Sequence, residues 1–241
     1  MIKKLLARFE KNTGAVMPKY LTNNRKSLLQ KMINIEELIL QTSNKISQSI
    51  EGSSNVMRGC CFLVKKDIFK KLGGYMQTLT EDVEFAASLK KNNYKITFES
   101  NAVIFTHEHD KIGGWFKHKK RCGKGAFYTF LHHKSLSSSR SSLTLSIVIP
   151  FMLRICMIGI ILATLFSNPY TALIEFLLFL VIEFFHYSLL ISFEMKNIDF
   201  ELLPLFAWIY IPLVLVANLT GALSAAKDKL LGRDELALKD W

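Results

Sequence analysis

Residues 59–85 read GCCFLVKKDIFKKLGGYMQTLTEDVEF, and they predict one strand followed by two helices. Its first part belongs to an apolar run, VMRGCCFLVKK at 56–66, which predicts a strand buried on both faces. The segment KDIFKKLGGY predicts a short helix closed by Gly73 and Gly74. Thr80 is positioned to cap a second helix. A strand followed by two helices around a flexible turn indicates an α/β unit.

Segments on both sides extend this pattern. GAVMP at 14–18 predicts a short buried strand that ends at Pro18, and apolar residues at helical spacing predict a long helix from Ser27 to Gln48. Strands are predicted near 94–98 and 102–106, followed by a polar end rich in histidine. We therefore expect residues 1–110 to form a partial α/β domain.

The TEDVEF segment has two interpretations from its residues alone. Glu81, Asp82 and Glu84 lie in the first turn of the predicted helix, where the positive end of the helix dipole favours acids. The segment also lies at a loop-to-helix junction behind a diglycine, the kind of position at which α/β enzymes keep catalytic groups. Capping and catalysis both remain open on these grounds.

The C-terminal part of the chain predicts a membrane protein. Half of the residues are hydrophobic and the mean hydropathy is +0.22. Apolar runs at 143–166, 170–193 and 202–226 each reach the roughly 20 residues that a helix needs to cross a bilayer. We predict a transmembrane region at 143–226 with about three spans. Charges at membrane depth should face other helices, so Arg154 is expected to pair with Glu175 or Glu183.

Charge and cysteine content predict the compartment. Residues 1–142 carry 25 Lys and Arg against 11 Asp and Glu, which favours a cytoplasmic soluble domain on a multi-pass protein of the plasma membrane. The start, MIKKLLARFEKN, predicts an amphipathic helix and no export signal. The cysteines form no C-x-x-C pair and are expected to be buried thiols: Cys60, Cys61, Cys122 and Cys156. Residues 227–241 form a polar tail.

Residues 111–142 combine basic and aromatic side chains. Seven Lys and Arg and no acids lie between Lys111 and Lys134, interleaved with Trp115 and other aromatic residues. This mixture is typical of an interfacial helix on anionic lipid, here followed by a Ser-rich linker. A basic composition also suits nucleic-acid binding, but the cluster adjoins the first apolar run without a nucleic-acid motif, so we expect no nucleic acid.

The order of these motifs resembles a known family. GCCFLVKK, IFKKLGGY, TEDVEFAASLKKNNYKITFES, AVIFTHE and HKKRCGKG, followed by membrane helices, resemble the second half of the family 2 inverting glycosyltransferases with a GT-A fold. The resemblance implies that Asp82 is the general base toward an acceptor hydroxyl and that Glu81 orients nearby groups. It also implies substrate-binding roles for Gly73 and Gly74.

A second family signature, Q-x-x-R-W, falls on residues 118–122. Only Arg121 matches, because His118 and Cys122 stand at the Gln and Trp positions. The resemblance implies that Arg121 contacts a diphosphate leaving group and that His118 lies in the same substrate site. The two departures put processive polymer synthesis in doubt, and Arg121 alternatively belongs to the basic lipid-facing surface.

The family's D-x-D motif is absent from the sequence. The resemblance implies that Mg²⁺ or Mn²⁺ binds the donor in the complete enzyme, through ligands that this chain lacks. It also implies that the chain is truncated at the N-terminus just after that motif. Glu108 and Asp110, with His107, are a weaker metal candidate, for which a solvated loop is the alternative.

These observations predict a membrane glycosyltransferase fragment. It would transfer a sugar from a nucleotide-sugar to a lipid-linked or glycan hydroxyl, and a separate chain is one candidate source of the nucleotide-binding half. The alternative is a non-catalytic subunit or inactive truncated product whose basic domain docks a partner chain or anionic lipid. A small transporter using Glu175, Glu183 and His186 is a third interpretation.

Overall fold

The computed structural model describes residues 1–54, 57–133, 149–192 and 199–233. Its first half is a mixed α/β unit built on a three-stranded sheet with the order β2-β1-β3. Strand β1 (Thr13–Thr22) is central, antiparallel to β2 (Leu63–Val64) and parallel to β3 (Lys95–Thr106). The α/β prediction is confirmed.

Short and long helices cover this sheet. They are α1 (Ile2–Leu6), α2 (Leu28–Glu51), α3 (Lys66–Lys71) and α4 (Glu81–Lys91). Helix α2 begins at the predicted place because Ser27 and Gln30 form a reciprocal capping box. It ends at Gly52, whose φ of 69° suits a residue without a Cβ atom.

The core of the α/β unit lies between the sheet and helices α3 and α4. Met17 and Ile96 from the strands pack with Phe85 and Leu89 of α4. Gly14 allows this contact, because a Cβ atom there would lie 2.6 Å from Leu89 and 2.9 Å from Tyr94. The sheet therefore holds α4, and with it the TED segment, in a fixed position.

Four predictions made from local sequence are wrong. The strand at GAVMP does not end at Pro18, because β1 continues to Thr22. The run at 56–66 is not a doubly buried strand, because only Leu63–Val64 pairs with β1 and both residues are half-buried. The two strands predicted at 94–98 and 102–106 form one strand with a register shift, Lys95–Thr106. The cysteines are free, but Cys60 and Cys156 are exposed and Cys61 and Cys122 only partly covered, so they are not buried thiols.

The second half of the chain is helical. Helix α5 (Ile112–His132) leads to α6 (Ile149–Ser167) and α7 (Pro169–Ile191). A 3₁₀ turn (Phe200–Leu202), α8 (Leu203–Leu205), a π-helical turn (Phe206–Tyr210) and α9 (Ile211–Leu230) then follow one another as a continuous helical stretch.

Two helices in the described part of the chain are long and apolar enough to cross a membrane, Pro169–Ile191 and Phe200–Leu230. The first predicted span contributes a shorter apolar helix, Leu153–Ser167, and its beginning at 143–148 lies outside the described residues. The Ser-rich linker and most of the polar tail also lie outside them.

Polar side chains within the apolar helices are paired. The Arg154 Nε atom donates to both carboxylate oxygens of Glu183, each at 3.0 Å, which joins α6 to α7. The hydroxyl of Thr164 donates to Glu175 at 2.6 Å between the same two helices. The predicted pairing of Arg154 with a glutamate is confirmed for Glu183.

Helix α5 packs against α9 through glycine. A Cβ atom added to Gly221 would lie under 3.0 Å from the backbone of Lys120 and Lys124, and one added to Gly123 would collide with the backbone of Asn218. The prediction that the aromatic side chains of α5 face lipid is wrong for Trp115 and Tyr128, because both are buried. The helix thus connects the α/β unit to the apolar helices.

Candidate active site

Asp82 lies in the first turn of α4 with its carboxylate partly exposed. One carboxylate oxygen, Oδ2, accepts a hydrogen bond of 2.6 Å from the Gly59 N–H, and Oδ1 accepts one of 2.8 Å from the Val83 N–H. Two backbone donors orient the carboxylate, and its partial exposure leaves it open to a ligand. A carboxylate held in this way can accept a proton from a bound hydroxyl group.

The rest of the TED segment fixes α4 against α5. Thr80 is the N-cap residue, but its side chain makes no capping hydrogen bond, contrary to the prediction. It lies instead on Gly125 of α5, where an added Cβ atom would come within 3.0 Å of the threonine side chain. Glu81 is exposed at the start of α4.

A buried pair that the sequence analysis missed begins at Glu84, in the same first turn of α4. The carboxylate of Glu84 is hydrogen-bonded to the Nε2 atom of His133, and both residues are buried. Glu84 had been assigned only to the helix dipole. Two acids two residues apart, Asp82 and Glu84, were the available sequence signal for a second functional carboxylate. His133 could not be found in this way, because it lies 49 residues from Glu84.

Helix α5 brings the second predicted motif to the same region. The Cys122 thiol lies 3.6 Å from the His118 Nε2 atom, and the His118 ring lies 5.5 Å from the ring of His109. Burial raises the pKa of Cys122, and the nearby charge of Asp82 adds to this effect while Lys119 and Arg121 oppose it. Cys122 and Asp82 therefore lie within electrostatic range of one another.

His118 is neutral at physiological pH. Burial, with the positive charges of Lys119 and Arg121, lowers its pKa to about 4. Arg121 is exposed, so its guanidinium is free to meet an anion. A neutral imidazole and an exposed guanidinium provide one uncharged and one cationic hydrogen-bonding group on the same helix.

A carboxylate of α2 connects this region to the apolar helices. Glu36 accepts hydrogen bonds of 2.6 Å from the Lys119 Nζ atom and from the Tyr210 hydroxyl. Tyr210 in turn accepts a 3.0 Å bond from the Trp115 indole N–H. Burial raises the pKa of Glu36, but Lys119 and Tyr210 lower it more, and the net pKa lies below its ordinary value. Neither Glu36 nor Tyr210 was identified from the sequence.

The neighbouring Glu37 holds the loop that contacts Asp82. Its buried carboxylate forms an ion pair with Arg58, the residue before Gly59, and Arg58 also lies 3.9 Å from Glu108. Burial lowers the pKa of Arg58, but the surrounding carboxylates raise it by more. The net pKa lies above its ordinary value, so the guanidinium stays charged. This ion pair places the Gly59 N–H that orients Asp82.

The diglycine lies at the end of α3. Gly73 and Gly74 have φ values of 82° and 79°, a conformation that favours glycine. They give a backbone turn before Tyr75, but a direct substrate contact by either glycine is not tested by the structure. His107 is exposed beyond the end of β3, and Glu108 accepts a 2.8 Å bond from the Thr106 hydroxyl.

The donor set for a divalent metal does not assemble here. Among the residues whose positions are described, no three His, Cys, Asp or Glu side chains converge on a point that would hold an ion. A Mg²⁺ or Mn²⁺ ion normally takes several oxygen ligands, so these residues do not fit one.

Comparison with known proteins completes the description of the site. A family model described as Glycosyl transferase family group 2 matches residues 2–220. A poly-beta-1,6-N-acetyl-D-glucosamine synthase of Staphylococcus epidermidis is 32% identical over 127 residues, which are 51% of this chain and 31% of that protein. The Staphylococcus aureus protein of the same name is 30% identical over 120 residues, 49% of this chain and 29% of its own. The probable glycosyltransferase YdaM of Bacillus subtilis is 27% identical over 124 residues, 51% and 30% respectively. Each match thus covers less than a third of the relative.

Proposed function

This chain belongs to the glycosyl transferase family group 2, and from that membership we propose that it carries the acceptor side of a sugar-transfer site. The reaction is the transfer of a sugar from a nucleotide-sugar to the hydroxyl of a lipid-linked or glycan acceptor. The synthases among its relatives make N-acetylglucosamine polymers by name, so nucleotide-activated N-acetylglucosamine is the first donor to test.

The observation that carries the proposal is the oriented carboxylate of Asp82. The acceptor hydroxyl oxygen attacks the anomeric carbon while its proton moves to an Asp82 oxygen. The bond from the anomeric carbon to the diphosphate oxygen breaks, and the diphosphate leaves with the electron pair. Because the two oxygens lie on opposite faces of that carbon, the product has the inverted anomeric configuration.

Other side chains assist from two directions. Arg121 offers a guanidinium to the diphosphate as negative charge develops on it, and His118 offers a neutral donor or acceptor near the same site. Glu81 binds acceptor hydroxyl groups at the rim. Gly73 and Gly74 contribute through the backbone turn that forms one wall of the site.

The donor side needs groups beyond those described. Mg²⁺ or Mn²⁺ would neutralise the diphosphate in the complete enzyme, but the described residues do not fit such an ion, and no step here runs through it. We therefore propose that a nucleotide-binding half acts together with this chain, from a separate polypeptide or a longer form of this one.

The membrane arrangement is also a proposal. We infer that α6 is a third span beside Pro169–Ile191 and Phe200–Leu230, and that residues 1–110 face the cytosol of a plasma membrane. Two exposed basic side chains, Lys111 at the N-cap of α5 and Lys117 within it, suit anionic headgroups. Lys119 and Lys124 are bonded to Glu36 and Asp228, so they are not available for lipid.

The test uses membranes that contain the full chain together with a family nucleotide-binding half. They are incubated with labelled nucleotide-activated N-acetylglucosamine and a hydroxyl acceptor, and the product's anomeric configuration is read by NMR. We expect transfer with inversion that depends on this chain. Equal transfer without the chain, or product with retained configuration, contradicts the proposal and leaves the non-catalytic docking role.

A further inference from the structure

Tyr75 follows the diglycine turn directly and is an aromatic residue with no part in the proposed proton transfer. Gly74 donates its N–H to the Phe69 carbonyl at 2.9 Å, and Gly73 donates to the Lys70 carbonyl at 3.1 Å, so the chain folds back over the end of α3. An added Cβ atom at Gly74 would lie 3.5 Å from the Phe69 ring. This turn sets the Tyr75 ring against α3 instead of letting it extend into solvent.

Three other aromatic rings fix the orientation of Tyr75. Phe69 lies 5.0 Å from it between ring centroids at an interplanar angle of 74°, and Phe85 of α4 lies 5.3 Å away at 69°. Phe62 lies 6.3 Å away at 86°. Near-perpendicular contacts of this kind are favourable for aromatic pairs and hold a ring in place.

The braced ring is nevertheless open to ligands. Tyr75 retains 46% of its surface exposed, whereas Phe85 beneath it is buried. Because the neighbouring rings already hold the Tyr75 side chain in place, a ligand that packs on its exposed face does not have to order it, which lowers the entropy cost of binding.

Tyr75 also lies beside the proposed base. Its ring contacts Phe85, which follows Asp82 by three residues on α4 and so lies one turn from it. Burial, with the negative charges of Glu81 and Asp82, also raises the pKa of the Tyr75 phenol. Gly59, on the loop that carries Phe62, donates to Asp82 from the other side. An apolar ring and a hydrogen-bonded carboxylate thus share one surface.

We propose that Tyr75 is the stacking platform for the acceptor sugar, an inference that rests on the proposed transferase function. A pyranose ring has one face of C–H groups that packs on an aromatic ring, while its hydroxyl groups point outward to polar partners. With the sugar on Tyr75, an acceptor hydroxyl at the ring edge meets Asp82 and another meets Glu81. The acceptor is therefore a hexose or N-acetylhexosamine chain end, bound through its apolar face.

The test is direct binding, which needs no turnover. The full chain in detergent is titrated with a pentasaccharide of β-1,6-linked N-acetylglucosamine, and the dissociation constant is measured by calorimetry. We expect Tyr75→Leu to weaken binding about tenfold, since it removes the ring face. Tyr75→Phe and Tyr75→Trp should bind within about twofold of the wild type, because both keep a ring.

Tyr94 provides the matched control. It lies at the other end of α4, where Lys71 bonds to its hydroxyl at 3.2 Å, and Tyr94→Leu should not change glycan affinity. Rescue by Phe and Trp separates loss of the ring from a general folding defect.

The stacking role of Tyr75 is refuted when Tyr75→Leu binds the pentasaccharide as tightly as the wild type does. It is also refuted when the wild-type chain does not bind the pentasaccharide. Failure of the transferase proposal has a different signature. In that case Tyr75-dependent binding persists while Asp82→Asn leaves transfer unchanged.

Discussion

Removing the charge of Glu36 should destabilise the junction between the α/β unit and the apolar helices, which Glu36 forms with Lys119 and Tyr210. In Glu36→Gln the amide keeps the shape of the side chain and a bond to Tyr210, but Lys119 loses its carboxylate. The side chains of Glu36 and Lys119 are each 14% exposed, so the orphaned ammonium has little access to water. Breaking a buried ion pair from one side costs about 3–5 kcal/mol, and partial water access favours the lower end.

A loss of about 3 kcal/mol corresponds to a fall in melting temperature of roughly 6–12 °C for a chain of this size. The assay is thermal unfolding of the full chain in detergent. Glu36→Gln combined with Lys119→Met should recover most of the loss, because it removes the unpaired charge as well.

Glu51→Gln is the control on the same helix. Its carboxylate lies 3.9 Å from Lys90, and an ion pair of that length nearer the surface contributes at most about 1 kcal/mol. If Glu36→Gln melts no lower than Glu51→Gln, or the double variant is no more stable than Glu36→Gln, the proposed junction is refuted.

Two further perturbations test neighbouring features. Gly221→Ala should destabilise the chain by about 1–3 kcal/mol in thermal unfolding in detergent, because the new methyl group meets the α5 backbone. Gly159→Ala is the control and should not destabilise it, since nothing lies within 4 Å of its added Cβ atom. Equal melting temperatures of the two variants would argue against the close crossing of α5 and α9. His118→Gln should remove a component of stability that rises with pH between about 4 and 6.5, because the unfolded imidazole binds a proton in that range and the folded one does not. Unfolding is measured across pH with the exposed His107→Gln as control, and an unchanged wild-type slope in His118→Gln would contradict the lowered pKa.

Local signals in the sequence were sufficient for much of the α/β unit. Ser27 and Gln30 start α2 by a capping box, and Gly73 and Gly74 end α3 at positive φ, as residues of these types should. The length and composition of the apolar runs also indicated the long apolar helices. The pairing of Arg154 with a glutamate followed from the cost of leaving a charge alone in lipid.

Predictions failed where distant contacts override local preference. The residues from Arg58 to Phe62 have the composition of a strand, but Arg58 is held by Glu37 and the Gly59 N–H by Asp82, so the segment becomes a turn. The mixture of basic and aromatic residues around Trp115 predicted contact with lipid, whereas the Trp115 indole donates a hydrogen bond to Tyr210, 95 residues away. No periodicity reports contacts over such separations.

The candidate site divides in the same way. The identity of Asp82 followed from the TED motif and its resemblance, because a carboxylate at that junction has a recognisable order of neighbours. The loop residue that orients it did not, since Gly59 carries no signal that relates it to residue 82. The base role itself stays a prediction until transfer is measured.

That measurement is the rate of sugar transfer by Asp82→Asn in membranes that also contain the nucleotide-binding half. The asparagine keeps the size of the side chain and an oxygen for the Gly59 N–H, but it does not accept the acceptor proton. We predict a rate at least about 100-fold below wild type with unchanged melting temperature, while Glu81→Gln retains transfer. Wild-type transfer by Asp82→Asn would contradict the assignment of Asp82 as the base.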